Sequence, residues 1–167
     1  MIEKIHLSKK PRLKLHVFRN IDGFRYDICE RNPVYRMMVW SYLNRVDHDS
    51  MGYREKISHI NLGRQKGHTT SVRNLYDVNR LTSMYISINA RAARPVSKYI
   101  GGSLVLSIHQ AHEGIDRQKF AGMSRDSINF IFVDNATFYS AENFAKLHEL
   151  LNYINSEFDL KHVFVVG

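Results

Sequence analysis

From residue 57 onward, short apolar runs alternate with helical stretches, and that alternation constrains the fold more than any other feature of the chain. The runs occupy residues 57–62, 84–89, 104–109, 130–134 and 162–166. Residues 69–81, 91–100 and 141–158 between them read as helices. Ser140 supplies an N-cap for the last, and Phe144, Leu147, Leu151 and Ile154 fall at helical spacing on one side of it. Pro95 lies inside the 91–100 stretch, where proline is tolerated only near a helix start. Strands alternating with helices of these lengths predict an α/β fold, with a mostly parallel sheet covered by helices. The 104–109 run follows Gly101-Gly102 and is read as a candidate antiparallel excursion before the 130–134 strand.

The first 56 residues carry a different pattern. Residues 13–18 (LKLHVF) and 24–28 (FRYDI) alternate apolar and polar, and Asp22-Gly23 between them supplies a positive-φ turn. A β-hairpin is predicted. Asn32-Pro33 reads as an N-cap followed by proline at the first helical position. A helix over 34–46 then aligns Tyr35, Met38, Val39, Tyr42, Leu43 and Val46 on one face. The polar stretch 47–53 (DHDSMGY) is the best boundary. The expectation is a hairpin-and-helix extension over 1–56, packed on a main domain over 57–167.

Charge and cysteine content narrow the partners and the compartment. The net charge is +8, and residues 57–110 alone carry +6, with Asp77 their one acid. A basic middle suits a polyanion, either nucleotide phosphates or a nucleic-acid backbone, and is also what a solvated basic face looks like. The single cysteine, Cys29, excludes an intramolecular disulfide and a cysteine-based zinc cage. No apolar run of about twenty residues is present and the start lacks a signal-peptide core, so a cytoplasmic, membrane-free location is expected.

The sharpest local feature is Asn61-Leu62-Gly63-Arg64-Gln65-Lys66-Gly67-His68-Thr69-Thr70-Ser71, between an apolar run and a helical stretch. A phosphate loop needs that context: glycines let the backbone approach an anion, and the helix start presents free N–H groups. The usual pattern is G-x-x-x-x-G-K followed by Ser or Thr. Gly67 and Thr69 fit it, Leu62 stands at the first glycine and His68 at the lysine. Taken alone, the loop reads more simply as a Gly-containing strand–helix turn. A second feature changes the balance. Phe130-Ile131-Phe132-Val133-Asp134 is an apolar run ending in an acid, the arrangement in which an aspartate at a strand tip holds Mg²⁺ beside a phosphate loop. Alone, Asp134 would read as a capping acid.

Together these stretches resemble the ATPase domain of the viral large terminase subunit, a DNA-packaging motor. Leu62 to Thr70 is similar to its phosphate loop, which runs as a small residue, then Arg-Gln-x-Gly-Lys, Ser or Thr, and Thr. Gly101-Gly102-Ser103, Phe120-Ala121-Gly122-Met123-Ser124, and Phe130 through Asp134-Asn135-Ala136-Thr137-Phe138 follow the family's order, and the final strand over 162–167 resembles its coupling-motif strand. The resemblance covers roughly residues 57–167. It implies a P-loop NTPase-like fold and a viral or mobile-element source. Nucleotide contacts are implied at Gly63, Arg64, Gln65, Lys66, Gly67, His68, Thr69 and Thr70. Mg²⁺ with ATP is implied as cofactor, held through Thr69 and Asp134, with Arg64 acting near the γ-phosphate. Three departures stand out. His68 replaces the lysine and cannot deliver the same fixed charge when neutral. Asn135 replaces the catalytic glutamate, and an amide orients water without accepting its proton. With Gly167 as the last residue, no nuclease domain of the terminase type is expected. Lys66 or Arg64 could restore charge, which keeps an active ATPase among the readings.

The sequence therefore predicts a nucleoside-triphosphate-binding protein with weak or no hydrolysis that acts on or near DNA. The alternative is a non-catalytic pseudo-ATPase module contacting nucleic acid or a protein through its basic surface. Phosphate contacts are expected from Arg73, Arg80, Arg91, Arg94 and Lys98, without base reading. His109, His112 and Glu113 form H-x-x-H-E in what reads as a polar connection, so they are expected to be solvated loop residues and not a metal site.

Overall fold

The structure, a computed structural model, describes residues 15–45, 52–102 and 104–167. A two-stranded antiparallel hairpin comes first, β1 (Phe18–Ile21) and β2 (Phe24–Asp27). Its turn places Asp22 at φ +52° and Gly23 at φ +86°, the left-handed pair that matches the twist of the flanking strands. Residues 15–17 of the expected first strand are not strand, and Leu13 and Lys14 lie outside the described residues. Helix α1 (Pro33–Leu43) starts as its sequence requires: the Asn32 side chain accepts from the Val34 N–H at 2.8 Å, with proline at the first position. Tyr35, Met38, Val39 and Tyr42 are buried, but Leu43 is 38% exposed, and Val46 lies outside the described residues, as does most of the expected 47–53 boundary.

Five strands then form one all-parallel sheet: β3 (Ile57–Ile60), β4 (Ser83–Ser87), β5 (Val105–Ser107), β6 (Phe130–Val133) and β7 (His162–Val166). Their order across the sheet is β3-β7-β6-β4-β5. The helices are α2 (His68–Asn79), α3 (Ala90–Tyr99), α4 (Ile108–Asp116) and α5 (Ala141–Glu157). The architecture is α/β, a parallel sheet covered by helices with an N-terminal hairpin, consistent with a P-loop NTPase-like fold.

Alternation along the central strands builds two cores. Phe130, Phe132, Phe164 and Val166 face the hairpin, α1, α2 and Val96 of α3, and all four are fully buried. Ile131, Val133, Val163 and Val165 face the other way, against α4 and α5. Burial on both faces explains why these strands are continuous apolar runs. Phe24, Tyr35, Met38 and Tyr42 join the first of these cores, so the described part of the N-terminal segment shares hydrophobic contacts with the sheet. Removing one such side chain costs about 3–5 kcal/mol for a phenylalanine cut to alanine.

Two expectations are corrected. Residues 105–107 pair parallel to β4, so no antiparallel excursion exists there. His109, His112 and Glu113 lie on α4, not in a loop. A capping box causes this: Ser107 accepts from the Gln110 N–H at 3.1 Å, and the Gln110 side chain accepts from the Ser107 N–H at 3.0 Å. Pro95 sits inside α3 and does not end it.

Candidate functional site

Parallel pairing brings the carboxyl ends of four strands to one rim. Ile60 is in register with Val166, Val133 with Val165, and Ile86 with Val133. Ligands of open parallel sheets bind beyond this edge. Here the loop after β3 and the Asp134 tip of β6 meet, although β7 lies between their strands.

The loop owes its path to three residues in the left-handed region: Gly63 at φ +92°, Gln65 at +57° and Gly67 at +74°. The Asn61 side chain accepts from the Gly63 N–H at 3.0 Å and starts the turn. Helix α2 begins at His68, and its first internal bond runs from the Ser71 N–H to the Gly67 carbonyl at 2.9 Å. Gly67 has no side chain to cap it and the first turn holds no acid, so the opening amides of α2 are left for an anion.

Asp134 is 1% exposed, and its carboxylate accepts three hydrogen bonds. Its Oδ1 accepts from the Thr69 hydroxyl at 3.2 Å and from the Asn135 N–H at 2.8 Å, while Oδ2 accepts a short bond from the Tyr85 hydroxyl. Thr69 also comes within 3.5 Å of Asn135 Oδ1. A hydroxyl that donates its one hydrogen to the carboxylate keeps the lone pairs of its oxygen. Burial, and then the Asp134 charge, hold the Tyr85 phenol far above its ordinary value, while Arg73 opposes them. Burial and the same carboxylate also raise Tyr139. Asn135 sits at φ +57°, a backbone state that asparagine adopts more readily than glutamate.

His68 does not act as a lysine would. Its Nε2 accepts the Leu62 N–H at 3.0 Å, so the imidazole clamps the loop. Asn32 braces the loop from outside: while capping α1, it donates to the Lys66 carbonyl at 3.0 Å. The resulting cleft, of about 680 Å³, is lined by the loop from Gly63 to Thr70 and by Asn61, Asn135, Thr137, Phe138 and Gly167. Arg64, Gln65 and Lys66 stand exposed on its edge.

The expected nucleic-acid residues do not form one patch. Arg91, Arg94 and Lys98 share an exposed side of α3, whose start follows the carboxyl end of β4. Arg80 lies at the far end of α2 from the loop and pairs with Asp77 at 2.9 Å. Arg73 is half-buried and turned toward Tyr85, since α2 packs that side against the sheet. His109 pairs with Glu113 at 3.0 Å and His112 with Glu149 at 2.5 Å, and among the described residues no group of three or more such side chains could hold a metal. Sequence reasoning gave no site role to Asn32, Tyr85, Tyr139 or Phe138. Asn32 carried a local signal as a helix cap and Phe138 as the end of the 130–138 stretch, while Tyr85 and Tyr139 carried none. Comparisons of the chain with protein-family models, curated proteins and solved structures find no match. Among the described residues no helix is long and apolar enough to cross a membrane.

Proposed function

We propose that this chain is a terminase-like P-loop protein that binds a nucleoside triphosphate, hydrolyses it weakly or not at all, and works on or near DNA. The observation that carries the reading is the 3.2 Å contact of Thr69 with the buried Asp134, at the head of a loop with uncapped helix amides. Those amides and the loop backbone would hold phosphate oxygens, with Arg64 and Lys66 supplying positive charge at the rim. A hydroxyl and a carboxylate are hard oxygen donors of the kind Mg²⁺ takes, and two protein ligands suffice when phosphates and water complete the shell. Thr69 and Asp134 would therefore hold Mg²⁺, which when bound would neutralise charge on the phosphates. Asn135 could orient a water but not deprotonate it, which would keep turnover weak. A viral or mobile-element source and a cytoplasmic location belong to the same reading.

The His68 clamp favours a second reading, a pseudo-ATPase module that keeps the fold and contacts nucleic acid or protein. ATP and ADP affinities with and without Mg²⁺, alongside turnover, separate the two: Mg²⁺-dependent ATP binding supports the first, and no binding leaves the second. For the DNA side, neutralising Arg91, Arg94 or Lys98 should weaken all duplex sequences alike. Each should lower the slope of log K against log salt by about 0.9. Salt-insensitive binding would remove that part.

A further inference from the structure

Helix α1 turns Tyr35, Met38 and Tyr42 toward the sheet and leaves Met37 and Trp40 outside, 41% and 61% exposed. These two, with Arg31, Pro33 and Arg36, line a shallow groove of about 480 Å³. Trp40 is the chain's single tryptophan. The lining holds two guanidinium groups and no carboxylate, and neither arginine forms an ion pair among the described residues. The Glu30 carboxylate beside the groove is turned to the Arg31 and Asn32 backbone amides, at 3.1 and 3.2 Å. An apolar partner helix would leave both cations against hydrocarbon, at a cost. A flat aromatic surface with two guanidinium groups in its lining instead complements an unpaired base between two phosphates. The groove also adjoins the phosphate loop, because Asn32, between Arg31 and Pro33, donates to the Lys66 carbonyl at 3.0 Å.

We infer that the outer face of α1 binds single-stranded nucleic acid, with one base stacked on Trp40 and backbone phosphates on Arg31 and Arg36. This deepens the proposal that the chain works on nucleic acid, and it places the contact outside residues 57–110. Stacking is sequence-tolerant, so the preference is for an unpaired strand over a particular base.

Trp40, as the sole indole, reports on the site directly. Titrating the full chain with oligothymidylate at about 50 mM salt should quench its fluorescence, whereas an abasic oligomer of equal charge should not. By anisotropy of a labelled oligomer, Trp40→Ala should weaken binding between about 5-fold and about 150-fold. Trp40→Phe should restore most of that loss. Arg31→Gln and Arg36→Gln should each reduce the salt slope by about 0.7. Thr69→Val and Asp134→Asn should leave this binding unchanged, so failure of the nucleotide reading is separable from failure here. Oligomer binding that Trp40→Ala does not weaken overturns the inference. Quenching by polyglutamate but not by oligothymidylate also overturns it and assigns the groove to an acidic protein segment.

Discussion

Substituting Gly67 by alanine tests whether α1 and the loop between β3 and α2 are one mechanical unit. Gly67 sits at φ +74°, where a Cβ costs about 1–2 kcal/mol. An added Cβ would also lie 2.7 Å from Asn32 Nδ2, so that amide must move. Moving it breaks the bond to the Lys66 carbonyl, worth about 0.5–1.5 kcal/mol, and disturbs a cap worth about 1 kcal/mol. The narrower unfolded ensemble of alanine offsets about 0.4–1 kcal/mol. The net expectation is a destabilisation of about 1.5–4 kcal/mol. Gly63 is the control: its φ is +92°, but a methyl group added there would meet nothing within 4 Å, so Gly63→Ala should cost no more than about 1.5 kcal/mol. Urea unfolding of both variants, alone and in an Asn32→Ala background, isolates the contact. In that background the two glycine substitutions should cost nearly the same. Equal costs with Asn32 present would refute the coupling.

Three further outcomes follow from the site and its surroundings. Tyr85→Phe keeps the ring but takes a donor from the buried Asp134, and should destabilise by about 1–3 kcal/mol in urea; a neutral result would mean the carboxylate does not depend on that bond. Combining His68→Lys with Asn135→Glu should raise ATP turnover by at least about 100-fold if the scaffold cradles a triphosphate, despite the left-handed backbone at 135; no gain in a folded double variant would mean that it does not. Burial, the largest cause, pushes the Tyr35 and Tyr76 phenols up to about 12 and Tyr85 and Tyr139 higher still. Unfolded tyrosines ionise near 10, so the stability linked to these four is present below about pH 10 and falls as pH rises toward the folded values. The decline should approach about 5 kcal/mol per pH unit, and a flat urea midpoint from pH 9 to 11.5 would contradict it.

The elements legible in the sequence are those whose signals are local. Asp22-Gly23 and Asn32-Pro33 state their backbone conformations outright, and the runs at 130–134 and 162–166 are apolar because both faces of the sheet are covered. The loop's glycines, Thr69 and Asp134 are legible through their order along the chain. What escapes depends on how distant segments meet. Nothing near Tyr85 announces that β4 will lie beside β6 and set its hydroxyl on Asp134, 49 residues away. Nothing near Asn32 shows its second bond, to a carbonyl 34 residues on. The 104–116 region misleads for a local reason: Ser107 both ends a strand and caps a helix, so the apolar run looks continuous through His109.

If Thr69 and Asp134 form a cation site serving a bound triphosphate, Mg²⁺ should strengthen ATP binding through those two side chains. Calorimetric titration with ATP, with and without Mg²⁺, tests it on the wild-type chain, Thr69→Val and Asp134→Asn. Binding should be tighter with Mg²⁺ in the wild type, and that gain should be lost in both variants while metal-free binding by the loop persists. Absence of ATP binding under either condition, or a Mg²⁺ gain that survives Asp134→Asn, would contradict it.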